Sequence, residues 1–157
     1  NIGGNKMKKL MILLLVTTLT ITGCEKVSDG YKEGTYKGEA IDNYGGEENI
    51  ATAEVTVDSK GKIVSVVLDT TYTKDGVKTT KKTLGSGYGM KIGNSDYGIS
   101  NLEWDEQVKL LEQFVVDNNG IDKIKLDIDS KTDAVSGCTI KIDALYKALE
   151  NAIEKAK

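Results

Sequence analysis

The segment "DAVSGCTI", residues 133–140, gathers the side chains of this chain whose types could do chemistry. It contains a carboxylate, two hydroxyls and a thiol, carried by Asp133, Ser136, Thr139 and Cys138. A hydroxyl or thiol becomes an effective nucleophile only when a neighbouring base or cation activates it. The chain has no histidine, which excludes Ser-His-Asp and Cys-His catalysis and histidine-ligated metals. It has no arginine either, so bidentate guanidinium contacts to phosphate are excluded.

Cys138 allows three interpretations. A catalytic thiolate would need a base or cationic neighbours, and no histidine is present to serve as that base. A disulfide would need Cys24, the only other cysteine, as its partner. A small apolar spacer needs neither, and we favour that interpretation.

The N-terminal residues resemble a bacterial lipoprotein signal. We expect translation to start at Met7, with residues 1–6 as upstream read-through. A twelve-residue apolar run, residues 10–21, fits the core of a signal peptide but not a membrane span of about 20 residues. The following "ITGC" resembles the lipobox, so we expect residues 7–23 to be removed and Cys24 to be lipidated. An ordinary secretory signal that ends near a cysteine is the alternative.

The charge of the chain excludes one class of partner. There are 24 acidic residues against 21 basic ones, all of them lysine, for a net charge of −3. Removal of residues 1–23 takes away three lysines and no acid, so the net charge becomes −6. Such an acidic protein is a poor ligand for nucleic acid, and no nucleic-acid partner is expected. Charge would not hold it to an anionic membrane either, so a lipid on Cys24 would have to anchor it.

The elements that must position the motif are those of a small α+β domain over residues 35–157, after a polar tether at residues 24–34. Residues of alternating polarity and β-branched runs predict an antiparallel β-meander. Its strands are expected at residues 35–41, 50–58 and 62–73, with an edge strand blunted by lysines at 77–83.

Two amphipathic helices, residues 103–119 and 141–157, are predicted to pack against this meander. Their apolar stripes consist of Trp104, Val108, Leu111 and Val115 in the first and Ile142, Leu145, Leu149 and Ile153 in the second. A short strand is predicted at residues 121–130, where isoleucine and leucine alternate with polar residues. The segment 84–100 carries five glycines, which is typical of a functional or disordered loop.

The motif itself lies between the short strand and the last helix. Ser136 or Thr139 can cap that helix, and Gly137 permits a tight turn. On these grounds alone the segment is an ordinary turn before a helix.

The segment nevertheless resembles a known modification motif. "DAVSGCT" is similar to the Asp-x-x-(Ser/Thr)-Gly-Ala-Thr flavinylation motif of the FMN-binding domain family. That family includes the covalently flavinylated subunits of sodium-pumping NADH:quinone reductase and related complexes, and small lipoproteins of Gram-positive extracellular electron transfer. Asp133, Ser136, Gly137 and Thr139 match the motif, and Cys138 stands where alanine is usual.

The resemblance extends over most of the mature chain. "DGYKEGTYKGEA" resembles the opening strand of the family, and "VTVDSKGKIVSVVL" resembles its strand–turn–strand. "GYGMK" and "LEWDEQVKLLEQFV" are similar to the Tyr-Gly-Met-Lys and Glu-Trp-x-x-Gln segments of the lipoprotein members.

The resemblance implies that FMN is joined to Thr139 by a phosphoester bond, transferred from FAD by a flavin transferase that needs Mg²⁺. Asp133 would hold that Mg²⁺ together with the transferase or would cap a turn, and both roles stay open. N–H groups at the start of the last helix would receive the phosphate. Tyr88 and Met90 would contact the isoalloxazine ring or pack in the core, whereas Trp104 is expected in the core. The cofactor-binding set is completed by Ser136, Gly137 and Cys138; no catalytic residue and no metal ligand is predicted.

The function implied by the resemblance is electron transfer rather than stand-alone catalysis. The protein would be extracytoplasmic, anchored by its lipid to the cell membrane, and would receive electrons from a membrane NADH dehydrogenase or quinol donor. It would pass them to an extracellular acceptor or a partner flavoprotein. The alternatives are a non-redox ligand- or partner-binding lipoprotein and a flavin-dependent extracytoplasmic reductase.

Overall fold

The computed structural model describes residues 30–93 and 96–157. The expectations for the signal peptide, for Cys24 and for most of the tether lie outside these residues. The described residues form four strands, which are β1 Gly34–Asp42, β2 Asn49–Val57, β3 Ile63–Lys74 and β4 Val77–Thr80. They also form three α-helices, which are α1 Lys81–Leu84, α2 Trp104–Asp117 and α3 Asp143–Lys155. Short 3₁₀ turns occupy Tyr44–Gly46 and Gly85–Tyr88.

The strands form one antiparallel sheet in the order β1-β2-β3-β4, which confirms the predicted meander and the α+β class. β2 shows why alternation predicted a strand, since every second side chain is buried and those between are half-buried. Its buried apolar residues are Ala51, Ala53, Val55 and Val57. On β1, a Cβ added to Gly38 would lie 2.0 Å from the Ala148 carbonyl oxygen, so only glycine lets α3 approach this closely.

The two long helices pack on different strands of the sheet. α3 packs against β1 and β2, and α2 packs against β3. All eight residues of the predicted apolar stripes are buried. Burial of one large apolar side chain stabilises the fold by about 1.5–3 kcal/mol. The start of the described chain is held to the end of α3, because the Lys32 N–H donates to the Ala156 carbonyl oxygen at 2.7 Å. Across residues 30–93 and 96–157, none of the helices combines the length and the apolar character needed to cross a membrane.

The predicted strand at residues 121–130 is wrong. This segment forms turns and irregular backbone, and its alternating apolar residues share no buried face. Ile124 is buried, whereas Ile128 is 101% exposed. The Asp127 carboxylate explains the outcome, since its Oδ1 accepts hydrogen bonds from the N–H groups of Asp129 at 2.8 Å and Lys131 at 2.9 Å. An aspartate that bonds its own following backbone stabilises a turn in place of a strand.

The predicted edge strand at residues 77–83 is correct only as far as Thr80. Thr80 Oγ1 accepts a hydrogen bond from the Thr83 N–H at 3.1 Å, which caps α1 and ends the strand. The end of the strand at Thr80 changes the environment of the next residue, Lys81. Lys81 was expected among the solvated edge lysines but is only 6% exposed.

The cap predicted for α3 is also wrong. Its N-cap residue is Ile142, which makes no side-chain cap hydrogen bond. Ser136 lies upstream of the helix start, and the Thr139 hydroxyl donates instead to Gln107 Oε1 at 3.2 Å. Ile142 is 1% exposed, so packing in the core decides this position rather than capping.

Candidate functional site

A cavity of about 770 Å³ opens between the end of β1, the glycine-rich segment and the chain that leads into α3. This volume lies in the range of small-molecule and cofactor sites, about 300–1,000 Å³. The wall combines aromatic and aliphatic side chains with a hydroxyl and an ion pair. The lining residues that bear most on its chemistry are Asp42, Lys81, Tyr88, Met90, Trp104 and Thr139.

Thr139 stands at the edge of this cavity with its side chain exposed. Gln107 on α2 holds it, because Gln107 Oε1 accepts hydrogen bonds from the Thr139 N–H at 2.8 Å and from the Thr139 hydroxyl at 3.2 Å. The Gln107 side chain is fully buried. Since the backbone contact is the shorter one, Thr139 stays anchored when its hydroxyl forms another bond.

The nitrogen of the Gln107 amide ties down the cavity wall. Nε2 donates to Ser100 Oγ at 2.9 Å and to the Leu102 carbonyl oxygen at 3.2 Å, and it lies 3.4 Å from Met90 Sδ. The amide oxygen faces a donor and the amide nitrogen faces acceptors, so the partners fix the orientation of this side chain. One buried glutamine therefore joins the glycine-rich segment to the motif.

The first turn of α2 fixes the same wall through Glu103. This residue is buried, and its Oε2 accepts a hydrogen bond from the Met90 N–H at 2.9 Å. Glu103 is also the N-cap of α2, in a reciprocal capping box where its N–H donates to Glu106 Oε2 at 2.8 Å. Met90 is thus positioned by contacts with the helix start rather than by a strand or helix of its own.

Tyr88 and Trp104 form the aromatic part of the wall. The Tyr88 ring lies 5.1 Å from the Tyr72 ring at 78°, 5.3 Å from Tyr97 at 34° and 6.5 Å from Trp104 at 63°. Such tilted and edge-to-face contacts lock the rings in place. Burial raises the pKa of Tyr88, so its phenol is neutral at physiological pH. Trp104 belongs to the core, as expected, and lines the cavity as well.

Lys81 brings a positive charge into this wall. Its Nζ lies 3.5 Å from Asp42 Oδ2, 5.5 Å from the centre of the Tyr88 ring and 5.3 Å from that of Trp104. Burial lowers the pKa of Lys81, and the Asp42 carboxylate opposes that shift. Both signs of charge are therefore present at the buried side of the cavity.

The start of α3 lines the cavity too, through residues 143–145. The first N–H groups of an α-helix have no acceptor within the helix, and together with the helix dipole they attract anions. Lys131 and Lys141 are exposed lining residues that add positive charge, while Asp143 adds a negative one. The two lysines and the helix start together outweigh the one negative charge of Asp143, so this side of the cavity favours an anionic group beside Thr139.

The carboxylate and the first hydroxyl of the motif lie outside the cavity lining. Asp133 and Ser136 are both exposed. At this turn a different side chain bonds the backbone: Thr132 Oγ1 accepts a hydrogen bond from the Ala134 N–H at 3.2 Å. The Asp133 carboxylate is therefore open to solvent and to a partner protein.

Gly137 and Cys138 are shaped by packing. Gly137 has φ +85°, a conformation that favours glycine, whereas an added Cβ would lie 2.9 Å from Leu110 Cδ1, the end of an exposed side chain that can move aside. Cys138 is 4% exposed, and burial raises the pKa of its thiol to about 11 against a weaker opposing hydrogen bond from the Ile140 backbone. The thiol is protonated at neutral pH, which argues against a nucleophile and favours the apolar spacer.

Lys81 was not singled out from the sequence, and Gln107 appeared there only as the last residue of the Glu-Trp-x-x-Gln segment, with no role assigned to it. Gln107 sits between Trp104 and Val108 on the helical stripe that was predicted to be apolar. A polar residue on such a face must find buried hydrogen-bond partners, so its position predicts a structural or functional role. Lys81 carried no comparable signal, because a lysine near a strand edge is usually solvated.

The chain matches a family model described as FMN-binding domain over residues 43–154. The match includes Lys81, Tyr88, Gln107 and Thr139. A comparison with curated proteins gave no match, and neither did a comparison with solved structures. The aromatic wall and the anion-attracting helix start fit a ligand that has a planar ring and a phosphate.

Proposed function

Because the chain belongs to the FMN-binding domain family, we propose that it is an electron carrier with FMN joined to Thr139 through a phosphoester bond. The observation that carries this proposal is the convergence of three features on one cavity. They are the Thr139 hydroxyl, the aromatic wall of Tyr88 and Trp104, and the start of α3. The hydroxyl and the helix start suit a phosphate, and the wall suits a planar ring.

The lining residues have distinct tasks in this proposal. Tyr88, Met90 and Trp104 bind the ring and exclude water from one side of it. The helix start, with Lys131 and Lys141, binds the phosphate. The bound FMN supplies the redox chemistry, and the protein supplies anchoring and orientation.

Attachment requires a partner enzyme, an FAD-dependent flavin transferase. In that step Thr139 Oγ loses its proton and gains an ester bond to the FMN phosphate, while the pyrophosphate bond of FAD breaks and AMP leaves. Gln107 Oε1 orients the hydroxyl but is too weak a base to take its proton. The base therefore comes from the transferase, and the exposed Asp133 completes its Mg²⁺ site.

The carrier is proposed to work outside the cytoplasm, held at the cell membrane by a lipid on Cys24. Covalent attachment suits that place, because a dissociable cofactor would diffuse away from the cell. The proposed donor is a membrane NADH dehydrogenase or quinol, and the acceptor is an extracellular acceptor or a partner flavoprotein.

Coexpression of the full chain with a flavin transferase tests the attachment. We expect the protein mass to rise by that of FMN less one water, and the denatured protein to fluoresce in a gel. Thr139→Ala should abolish both signals. Ser65→Ala, which removes an exposed hydroxyl outside the motif and the cavity lining, should keep both. A wild type without covalent flavin, or a Thr139→Ala variant that retains it, contradicts the proposal.

The same preparations separate the alternatives. Wild type that binds no flavin, covalently or otherwise, would favour a non-redox binding lipoprotein. Loaded protein that turns over a small acceptor without any partner protein would favour a reductase. A carrier is expected to be reduced and reoxidised by partner proteins and to give no such turnover alone.

The lipid anchor has its own matched control, because the chain has two cysteines. Cells grown with an alkyne-tagged fatty acid should label the wild type and Cys138→Ala but not Cys24→Ala. Label that persists in Cys24→Ala contradicts the anchor.

A further inference from the structure

Lys81 is the buried cation of the cavity wall, and nothing in the motif explains it. Its side chain is 8% exposed, against 16% for its partner Asp42. Tyr88 and Trp104 bound the ammonium group on two further sides. All four side chains line the same cavity.

A lysine in this position is costly for the fold. Moving an ammonium group out of water costs several kcal/mol, and one ion pair only partly offsets that. Burial accordingly lowers the pKa of Lys81, while the negative charges of Asp42 and Asp69 oppose the shift. An apolar side chain of similar length would pack against the two rings without this cost, so the charge points to a ligand.

Resting on the proposed function, we propose that Lys81 is the counter-ion of the flavin site, which stabilises the negative charge that the bound ring gains on reduction. Reduction by two electrons from a donor and one proton from solvent leaves the flavin ring with one net negative charge. A cation in the wall of the site favours that form over the neutral oxidised form and raises the midpoint potential.

Burial distinguishes Lys81 from the other lysines of the cavity. Lys131 and Lys141 are exposed, so water and salt screen their charges. Lys81 acts through the low-dielectric wall formed by Tyr88 and Trp104, where one charge has a larger effect. We therefore assign the phosphate to the exposed lysines and the ring to Lys81.

The test compares Lys81→Met with Lys82→Met in the full chain, loaded by the transferase. Lys82 is one residue along, pairs with Glu112 and is not a cavity residue, so it controls for the loss of one charge. The midpoint potential is measured by reduction with dithionite in the presence of indicator dyes. We expect Lys81→Met to weaken the preference for the reduced flavin about tenfold, a fall of about 30 mV. A fall no larger than that of Lys82→Met overturns the assignment.

Two further variants keep the test decisive if Lys81→Met does not fold. Lys81→Arg keeps the charge and should hold the potential near the wild-type value. Asp42→Asn removes the opposing carboxylate and should raise it. A large fall in Lys81→Arg, or no rise in Asp42→Asn, counts against the counter-ion role.

Protein mass separates this inference from the proposed attachment. If the wild type carries no covalent flavin, the attachment fails, and FMN is instead added to the unloaded wild type and Lys81→Met. The ratio of dissociation constants for oxidised and reduced FMN should then fall about tenfold in Lys81→Met. An equal ratio in the two proteins, or a wild type that binds neither form, overturns the role of Lys81.

Discussion

α2 and α3 have nearly the same length, 14 and 13 residues, but their N-termini are built in opposite ways. The start of α2 is closed by its own side chains, since Glu103 and Glu106 form a reciprocal capping box. The start of α3 has no side-chain cap bond, and its first turn lines the cavity. The difference teaches that the open start is the one available to an anionic ligand, because a capping side chain would occupy the same N–H groups.

The first prediction tests why α3 lacks a cap. Ile142→Ser introduces a good N-cap residue, worth about 1 kcal/mol, but removes a side chain that is 1% exposed, at about 3 kcal/mol. We expect the free energy of unfolding to fall by about 2 kcal/mol in urea denaturation. Ile128→Ser, at a fully exposed isoleucine, should change it by less than about 0.5 kcal/mol. A stabilised Ile142→Ser would show that capping outweighs packing here.

The second prediction breaks the link between the two helix starts. Gln107→Leu keeps the volume of the side chain but leaves the Thr139 N–H, Ser100 Oγ and the Leu102 carbonyl oxygen without this partner. We expect a loss of about 2 kcal/mol in the free energy of unfolding and less flavin loaded per protein. Gln113→Leu, at an exposed position on the same helix, should affect neither. Full loading in Gln107→Leu would mean that Thr139 needs no anchor.

The third prediction opens the closed helix start. Glu103→Ala removes the α2 cap and the acceptor for the Met90 N–H, so we expect a loss of about 1–2 kcal/mol in urea denaturation. Glu154→Ala, at an exposed position of α3, serves as the control. Equal stability of the two variants would show that the capping box contributes nothing measurable.

The fourth prediction concerns the smallest change in stability, and the direction of that change is expected to differ between unloaded and loaded protein. Asp143→Asn removes a negative charge from the open start of α3, which should destabilise unloaded protein by about 0.3–1 kcal/mol. In loaded protein the phosphate would supply that charge, so the same substitution should be neutral or stabilising. Asp105→Asn in α2 should destabilise both forms alike. Melting temperatures of the wild type and the two variants, each loaded and unloaded, decide this, and an unchanged sign for Asp143→Asn counts against a phosphate at α3.

Prediction from the sequence succeeded where local pattern and burial agree. The strand β2 and the helical stripe around Leu149 were correct because a period of two or of 3.6 has one way to bury its apolar residues. It failed at residues 121–130, where the same alternation is present but Asp127 bonds the following backbone and forms a turn. The period of the apolar residues does not show whether such a segment forms a strand or a turn, because a side chain that bonds the following backbone competes with strand pairing.

The site shows a similar division. Thr139, Tyr88 and Met90 line one cavity, while Tyr88 and Met90 also belong to the core, and their contact with a cofactor stays a prediction. Lys81 was assigned to a solvated edge, because its burial depends on Thr80 ending the strand and turning the chain inward. Thr139, which donates to the Gln107 amide oxygen, lies 32 residues further along the chain, so no local pattern could name this partner.

The sequence by itself determined the fold class, the motif and the absence of histidine and arginine chemistry. These are properties of residue type and local spacing, which are fixed before the chain folds. Only the tertiary structure decided that Cys138 is buried while its neighbour Thr139 is exposed, that α3 begins open, and that a lysine lies between Tyr88 and Trp104. The exposure of a side chain and the charges around it depend on which distant segments lie against it. Those contacts are decided by the close packing of the whole domain, which local sequence does not contain.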